Sequence, residues 1–142
     1  MKVIDASNCV YGRLSTIIAK ELLNTDEKIV IVNAAKVVVT GSRKYVLQRF
    51  LSRREIGSVR KGPYYPRVPK AILKRSVGDM LPKKTTKGKD ALKRCIVYDG
   101  MPAEFKDAEK IIIDKALNNK VSGFVTLADI ASIMGREVKA VE

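Results

Sequence analysis

The chain contains no histidine, and only two cysteines, Cys9 and Cys95, occur in its 142 residues. Histidine is the commonest general base and the commonest ligand of transition metals, so its absence removes the usual catalytic and metal-binding chemistry. Ser7, Ser15 and Ser42 therefore cannot belong to a Ser-His-acid triad. The cysteines form no CxxC zinc pattern, and we expect two buried thiols and no disulfide. We expect no metal site and no cofactor.

Long apolar runs and nucleotide-binding loops are also missing. No stretch of 18 or more apolar residues occurs, which argues against a transmembrane helix. Asp5 interrupts the apolar start of the chain where a signal peptide would continue. Gly57 and Gly62 have the spacing of a phosphate-binding loop, but Pro63 and Tyr64 stand where Lys and Ser or Thr are required. These absences predict a cytoplasmic protein with no membrane partner and no small-molecule substrate.

Acidic residues are scarce in the middle third of the chain, residues 43–94, which we call the basic block. It holds 17 Lys or Arg and only three acids, Glu55, Asp79 and Asp90, whereas the other 90 residues hold 11 basic and 12 acidic groups. A surface that serves only solubility intersperses both signs. The uneven distribution predicts an extended polyanionic partner, a nucleic acid. A membrane would need an exposed apolar stripe or a lipidation signal, and the sequence shows neither.

The order of apolar segments predicts an α/β fold. A 46% share of hydrophobic residues over 142 positions suffices for one domain, 1–142, with a buried core. Apolar residues recur at helical spacing between Gly12 and Asn24, with a β-branched segment on either side. Because a strand-helix-strand unit closes by a right-handed crossover, we expect a largely parallel sheet. The four predicted strands cover residues 2–4, 28–33, 37–40 and 95–98.

The basic block is predicted to contain two helices joined by a long loop. An apolar stripe through Val46 and Phe50 favours a helix over residues 43–54. Prolines and glycines exclude an internal helix from residues 57–69, and long loops in compact domains are often functional. Pro69 is expected to begin the second helix. The arginines expected largely off the first helix's stripe are Arg43, Arg49, Arg53 and Arg54.

The elements predicted after the second helix are short. Pro82 marks the end of that helix, residues 83–89 form a basic connector, and residues 90–94 form a helical turn. The run of isoleucines at 111–113 could be strand or helix, and the neighbouring alanines favour helix. Residues 126–129 have the pattern of a capping box that opens a helix ending at Gly135.

Two tyrosines accompany the cations of the loop. Tyr64 and Tyr65 provide surfaces on which unpaired bases stack, and arginine forks bind phosphates with two hydrogen bonds. The tyrosines could equally anchor the loop to the core, and both interpretations stay open. The candidate RNA-binding residues are Arg43, Lys44, Arg49, Arg53, Arg54, Arg60, Lys61, Tyr64, Tyr65, Arg67, Lys70, Lys74, Arg75, Lys83, Lys84, Lys87, Lys89, Lys93 and Arg94.

Two acids follow predicted strands and could meet at one edge of the sheet. Asp5 follows the first strand and Asp99 the fourth, which is where α/β enzymes place catalytic acids. No further acid cluster surrounds them, so we favour the interpretation in which each acid caps a turn. No enzymatic activity is expected.

A series of short motifs resembles one known family. No single motif is specific, but their order and spacing together are. The series runs through Val3-Ile4-Asp5-Ala6, Gly12-Arg13-Leu14, Val32-Asn33-Ala34, Thr40-Gly41, Gly62-Pro63, Arg67, Pro69, Arg75, Met80-Leu81-Pro82-Lys83-Lys84-Thr85, Gly88-Lys89-Asp90-Ala91-Leu92 and Val97-Tyr98-Asp99-Gly100-Met101-Pro102. Together they resemble the universal large-subunit ribosomal protein thirteen family, of the archaeal and eukaryotic type.

The resemblance implies a three-layer α/β/α fold around a four-stranded, mostly parallel sheet. It also implies a structural role in the large ribosomal subunit and its assembly, with large-subunit ribosomal RNA and neighbouring ribosomal proteins as partners and with no catalysis. The family's RNA-contacting part corresponds here to residues 43–54, the loop through Arg67, and residues 83–94.

The chain departs from the family pattern at two places. Gly78-Asp79 stands where Arg-Gly is expected, which puts a phosphate contact there in doubt, and Cys95 replaces an aliphatic residue. Two other functions remain as alternatives: a non-ribosomal RNA-binding regulator, or an enzyme acting on RNA or nucleotides through Asp5 or Asp99.

Overall fold

The computed structural model describes residues 1–135, which form six strands and five α-helices. Short 3₁₀ turns link several of these elements. In chain order the elements are β1 (Lys2–Asp5), α1 (Tyr11–Asn24), β2 (Ile29–Val32), β3 (Val38–Thr40), α2 (Arg43–Glu55), α3 (Pro69–Asp79), α4 (Thr86–Arg94), β4 (Cys95–Val97), β5 (Lys110–Ile112), β6 (Phe124–Thr126) and α5 (Leu127–Ile133).

The main sheet has four parallel strands in the order β4-β2-β1-β5. Val3 pairs with Val30 across β1 and β2, and Ile4 pairs with Ile111 across β1 and β5. All four residues of β2 are buried, because this central strand is covered on both faces and its sequence has no polar alternation. The predicted parallel α/β sheet is confirmed.

Two layers of unequal thickness cover the sheet, which gives the three-layer arrangement. One face carries Ile4 and Ile31, which pack against α1, α3 and α4 in the main core. The other face carries Val3 and Val30, and a thinner cover that includes the 3₁₀ turn Ala103–Phe105 packs against it. Helices therefore build one layer and an irregular segment builds the other.

The membership of the sheet differs from the prediction in one strand. The predicted helix around residues 111–113 is wrong: Lys110–Ile112 form β5, an edge strand of the main sheet. β-Branched isoleucines fit a pleated strand better than a helix once a partner strand is available. The predicted third strand exists as β3, but it pairs antiparallel with β6 in a separate two-stranded sheet.

Helix boundaries in the basic block also differ in detail. The helix that begins at Pro69 ends at Asp79, before Pro82, and α4 begins at Thr86 inside the predicted connector. Thr85 caps α4 by accepting a hydrogen bond from the Gly88 amide at 3.3 Å. A Cβ at Gly88 would lie 2.1 Å from the Pro82 carbonyl oxygen, so this close turn requires glycine.

Two further local predictions, the cap of the last helix and the buried free thiols, are confirmed. Thr126 accepts a hydrogen bond from the Asp129 amide at 3.3 Å and caps α5. Cys9 and Cys95 are free and buried, and burial raises the pKa of each thiol to about 11. Among residues 1–135, no helix has both the length and the apolar character needed to cross a bilayer.

Candidate nucleic-acid interface

Helix α2 divides its surface between the core and a row of cations. Val46 and Phe50 are buried, and α2 packs on β6 and α5. Arg43, Lys44 and Arg49 are exposed, as the apolar stripe predicts. The helix therefore presents at least three cations on a rigid support.

Arg53 and Arg54 were expected off the apolar stripe, but both are half-buried. Arg54 donates to the Met134 carbonyl at 3.5 Å and lies 3.8 Å from Glu55. Arg53 lies over the rings of Phe50 and Tyr65. Aromatic contacts hold Arg53 and polar contacts hold Arg54, so removing either one would affect the fold as well as the surface charge.

An aromatic and arginine cluster attaches the loop, residues 56–68, to the helices. The rings of Phe50 and Tyr65 meet edge to face at 6.2 Å between centroids. The guanidinium of Arg53 lies 5.6 Å from the Tyr65 centroid and that of Arg75 lies 4.9 Å from it. Arg53 also donates to the Tyr65 hydroxyl at 3.3 Å. Tyr65 thus joins the loop to α2 and α3.

The two adjacent tyrosines have different environments. Tyr65 is half-buried against the core, as the anchoring interpretation predicts. The side chain of Tyr64 is 67% exposed, and its hydroxyl donates to the Val59 carbonyl. Successive residues of an extended segment point to opposite sides, so one tyrosine packs inward and the other keeps an open aromatic face.

The tip of the loop is a narrow turn that carries two cations. Ser58 and Gly62 exchange backbone hydrogen bonds of 3.1 and 2.8 Å. Gly57 has φ +109°, and a Cβ there would lie 2.7 Å from Pro63, so the turn requires glycine at this position. Arg60 and Lys61 lie between the paired residues and are exposed.

Helices α3 and α4 continue the basic surface. Arg75 lines a cavity of about 290 Å³ with Arg53 and Tyr65, and a second cavity of about 330 Å³ with Lys83 and Lys89. These shared linings make the surface continuous from α2 through the loop to α4. Lys74 is half-buried, and the other candidate cations of this part are exposed: Arg67, Lys70, Arg75, Lys83, Lys84, Lys87, Lys89 and Lys93.

The three acids of the basic block each have a nearby cation partner. Glu55 lies 3.8 Å from Arg54, and Asp90 lies 3.4 Å from Lys93. Asp79 pairs with Lys83 one helical turn later. Exposed pairs of this kind contribute little stability, but they leave most of the block's positive charge uncompensated.

Arg94 has a structural position, although it was a candidate RNA-binding residue. Its guanidinium donates to the carbonyl of Leu22, in the last turn of α1, at 2.7 Å and to that of Thr25, just past the helix, at 3.1 Å. Its side chain is only 22% exposed, and its Nε atom is buried without a partner among residues 1–135. Arg94 therefore satisfies the C-terminal carbonyls of α1 and complements the helix dipole.

The two candidate catalytic acids both accept hydrogen bonds from backbone amides, Asp5 at the end of β1 and Asp99 after β4. Asp5 accepts hydrogen bonds from the Ser7 amide and hydroxyl at 3.0 and 2.7 Å and from the Asn33 side chain at 3.0 Å. Burial alone would raise the pKa of Asp5, but these hydrogen bonds outweigh it and hold the pKa below its ordinary value. Asp99 accepts from the Lys70 amide at 2.7 Å at the start of α3. Within residues 1–135, no three metal-ligating side chains lie together.

One cation outside the basic block lies beside the candidate interface. Arg13, near the start of α1, is exposed and lines the same cavity as Arg49 and Arg53. The density of charge along the sequence did not point to Arg13, because its sequence neighbours are uncharged. The motif Gly12-Arg13-Leu14 was the available signal.

Comparison with known proteins identifies the family. A family model described as ribosomal protein L13 matches residues 1–104. The chain is 53% identical over 135 residues to the large ribosomal subunit protein uL13 of Thermoplasma volcanium, covering 95% of this chain and 98% of the relative. It is 53% identical to the uL13 protein of Picrophilus torridus, covering 95% and 97%, and 47% identical to that of Archaeoglobus fulgidus, covering 94% and 86%. The chain belongs to the ribosomal protein L13 family.

Proposed function

We propose that this chain is a structural, non-enzymatic component of the large ribosomal subunit that binds large-subunit ribosomal RNA and supports assembly. The observation that carries the proposal is a rigid α/β platform that presents 13 exposed Lys and Arg side chains between residues 43 and 93. The names of its relatives, which are large-subunit proteins, support the same role.

The geometry supports binding by shape and charge. Helix α2, the loop and α3 hold their cations at fixed mutual distances because Tyr65, Arg53 and Arg75 tie these elements together, and α4 packs against α3. Such cations displace counterions condensed on RNA, so neighbouring RNA helices repel each other less. The major groove of RNA is too narrow to read with side chains, so recognition through phosphates and exposed bases is expected.

The candidate residues have different roles in the proposed RNA binding. The exposed cations and Tyr64 form the proposed contact surface. Half-buried side chains support this surface, namely Tyr65, Arg53 and Arg54, and Arg94 stabilises the fold. Neighbouring ribosomal proteins are expected partners of the less basic remainder of the chain, and the expected compartment is the cytoplasm.

Sedimentation of a cell lysate through a sucrose gradient tests the proposal. After a high-salt wash, blotting should detect the chain with the large subunit. Recovery of all the chain at the top of the gradient would contradict the ribosomal role and favour the RNA-binding regulator. Hydrolysis of RNA or nucleotide by the purified protein, lost in Asp5→Asn or Asp99→Asn, would instead support the enzyme.

A further inference from the structure

A cavity of about 580 Å³ lies where the N-terminal end of α1 meets α2, α3 and β3. Small-ligand sites typically occupy about 300–1,000 Å³, so this cavity is large enough for one nucleotide. Three arginines line it, Arg13 of α1 and Arg49 and Arg53 of α2. The cavity therefore connects α1, which lies outside the basic block, to the proposed RNA-binding surface.

The charges at this cavity favour an anion. Arg13 and Arg49 are exposed, and neither forms an ion pair with another residue of the described chain, 1–135. Asp79 is the acid among the lining residues, and it pairs with Lys83. Guanidinium forks bind phosphate oxygens with two hydrogen bonds, and Arg13 and Arg49 both have that capacity available. The first turn of α1 lies at the same rim without a side-chain cap, which adds to the positive potential.

Two half-buried aromatic rings, those of Tyr11 and Tyr65, line the cavity. Phe50 is buried there between Tyr11 and Tyr65, with ring centroids 6.4 and 6.2 Å away. The guanidinium of Arg53 lies 5.4 Å from the Phe50 centroid, and this cation–π contact restrains its position at the cavity. Aromatic rings and arginine planes are the surfaces on which unpaired RNA bases stack.

We propose that this cavity binds one unpaired nucleotide of the ribosomal RNA, with its phosphate at Arg13 and Arg49 and its base against Arg53 and the aromatic rings. The inference rests on the proposed function and adds to it a defined site that includes α1. An acidic side chain from a protein could pair with the arginines, but it would leave the aromatic surfaces and most of the volume unused. A nucleotide uses the charges, the rings and the volume together.

Two variants of the full chain test the site by different means. Arg13→Gln removes a charge. Gly12→Leu keeps every charge but places a bulky side chain at the cavity, where a Cβ on Gly12 meets nothing within 4 Å. Leucine is a better helix former than glycine, so α1 should tolerate this change. Lys20→Gln is the matched control, because Lys20 is an exposed cation on the same helix away from the cavity.

The measurements are a salt titration of binding to a large-subunit RNA fragment and a hydroxyl-radical footprint of the complex. Arg13→Gln should bind about tenfold more weakly and flatten the slope of log K against log salt by about 1. Gly12→Leu should leave that slope nearly unchanged but bind more weakly. Both should lose protection of the same one or two nucleotides, whereas Lys20→Gln should keep the parent's affinity and footprint.

The outcomes separate this inference from the function on which it rests. A parent protein that binds no RNA fragment and does not sediment with the large subunit overturns both. A parent that binds RNA, with Arg13→Gln and Gly12→Leu indistinguishable from it, overturns only the nucleotide site. If these two variants keep RNA affinity but no longer sediment with the subunit, the cavity holds a protein side chain and the nucleotide site is also wrong.

Discussion

The guanidinium of Arg94, at the end of α4, donates a hydrogen bond of 2.7 Å to the carbonyl of Leu22 in the last turn of α1. It makes a second hydrogen bond of 3.1 Å to the Thr25 carbonyl. One side chain of the basic block thus fixes the relative position of two helices. Positive charge in the block serves the fold in some places and the proposed RNA surface in others.

We predict that Arg94→Gln destabilises the protein by about 2 kcal/mol. The change removes charge-assisted hydrogen bonds and leaves carbonyls at the end of α1 poorly satisfied. Lys93→Gln is the control, since Lys93 is exposed and makes only a 3.4 Å pair with Asp90. Urea denaturation of both variants measures the difference. A loss of RNA affinity in Arg94→Gln without a loss of stability would contradict the structural role and show that Arg94 belongs to the RNA-binding surface.

Substitution of Tyr65 should mainly lower stability, whereas substitution of Tyr64 should mainly weaken RNA binding. Tyr65→Ala should lower the free energy of unfolding by about 2 kcal/mol, because a half-buried ring leaves its contacts with Phe50, Arg53 and Arg75. Tyr64→Ala should leave stability nearly unchanged and weaken RNA binding by about 1–3 kcal/mol if one base stacks on the ring. Thermal unfolding and RNA titration on each variant give the two readouts. Equal effects of both variants on both readouts would contradict the division of roles.

The elements that could be predicted from the sequence are those with a clear local pattern. Helices α1 and α2 and the start of α3 follow from apolar spacing and from Pro69, and β2 from its unbroken β-branched residues. The strand β5 was missed because three isoleucines suit a helix or a strand, and pairing with β1 decides between them. That pairing is a tertiary contact between segments far apart in the sequence, Ile4 with Ile111, so no local pattern predicts it.

The interface was predictable as a region, but the roles of its members were not. Charge density located the basic block, yet the carbonyl partner of Arg94 lies 72 positions earlier in the chain. Which of Tyr64 and Tyr65 packs inward depends on the direction of the loop, which the sequence does not fix. Arg13 has no cation beside it, and only the fold brings it to the cavity with Arg49.

Asp5 should make stability depend on pH in the acid range. Its pKa is lowered in the folded protein, so the ionised form stabilises the fold above the ordinary aspartate pKa of about 4. That contribution is lost as pH falls from about 4 through the folded-state pKa. Asp5→Asn should therefore be less stable than the parent at pH 7, and the gap should shrink at pH 2–3. Urea denaturation at both values checks this, and a gap that widens on acidification would contradict it.

The affinity for RNA should reside in the exposed cations of the basic block. If about 8 phosphates are neutralised, log K should fall against log salt with a slope of about −6 to −7, between the single-strand and duplex coefficients. The double variant Lys44→Gln, Lys87→Gln removes two exposed cations from α2 and α4 and should flatten the slope by about 2. Both side chains lie off the core, so folding should survive. Arg53 and Arg54 are less suitable for this double variant because both are half-buried and in contact with other residues.

The matched control is the double variant Lys106→Gln, Lys115→Gln, which removes two exposed cations from the near-neutral C-terminal part. It changes net charge by the same amount and should leave the slope almost unchanged. The measurement is one salt titration of binding to a large-subunit RNA fragment, run on the parent and both double variants. Since net charge falls equally in both, only position distinguishes them. Equal losses of slope would mean that the positive charge acts as a diffuse field, and the localised RNA surface proposed for residues 43–93 would be wrong.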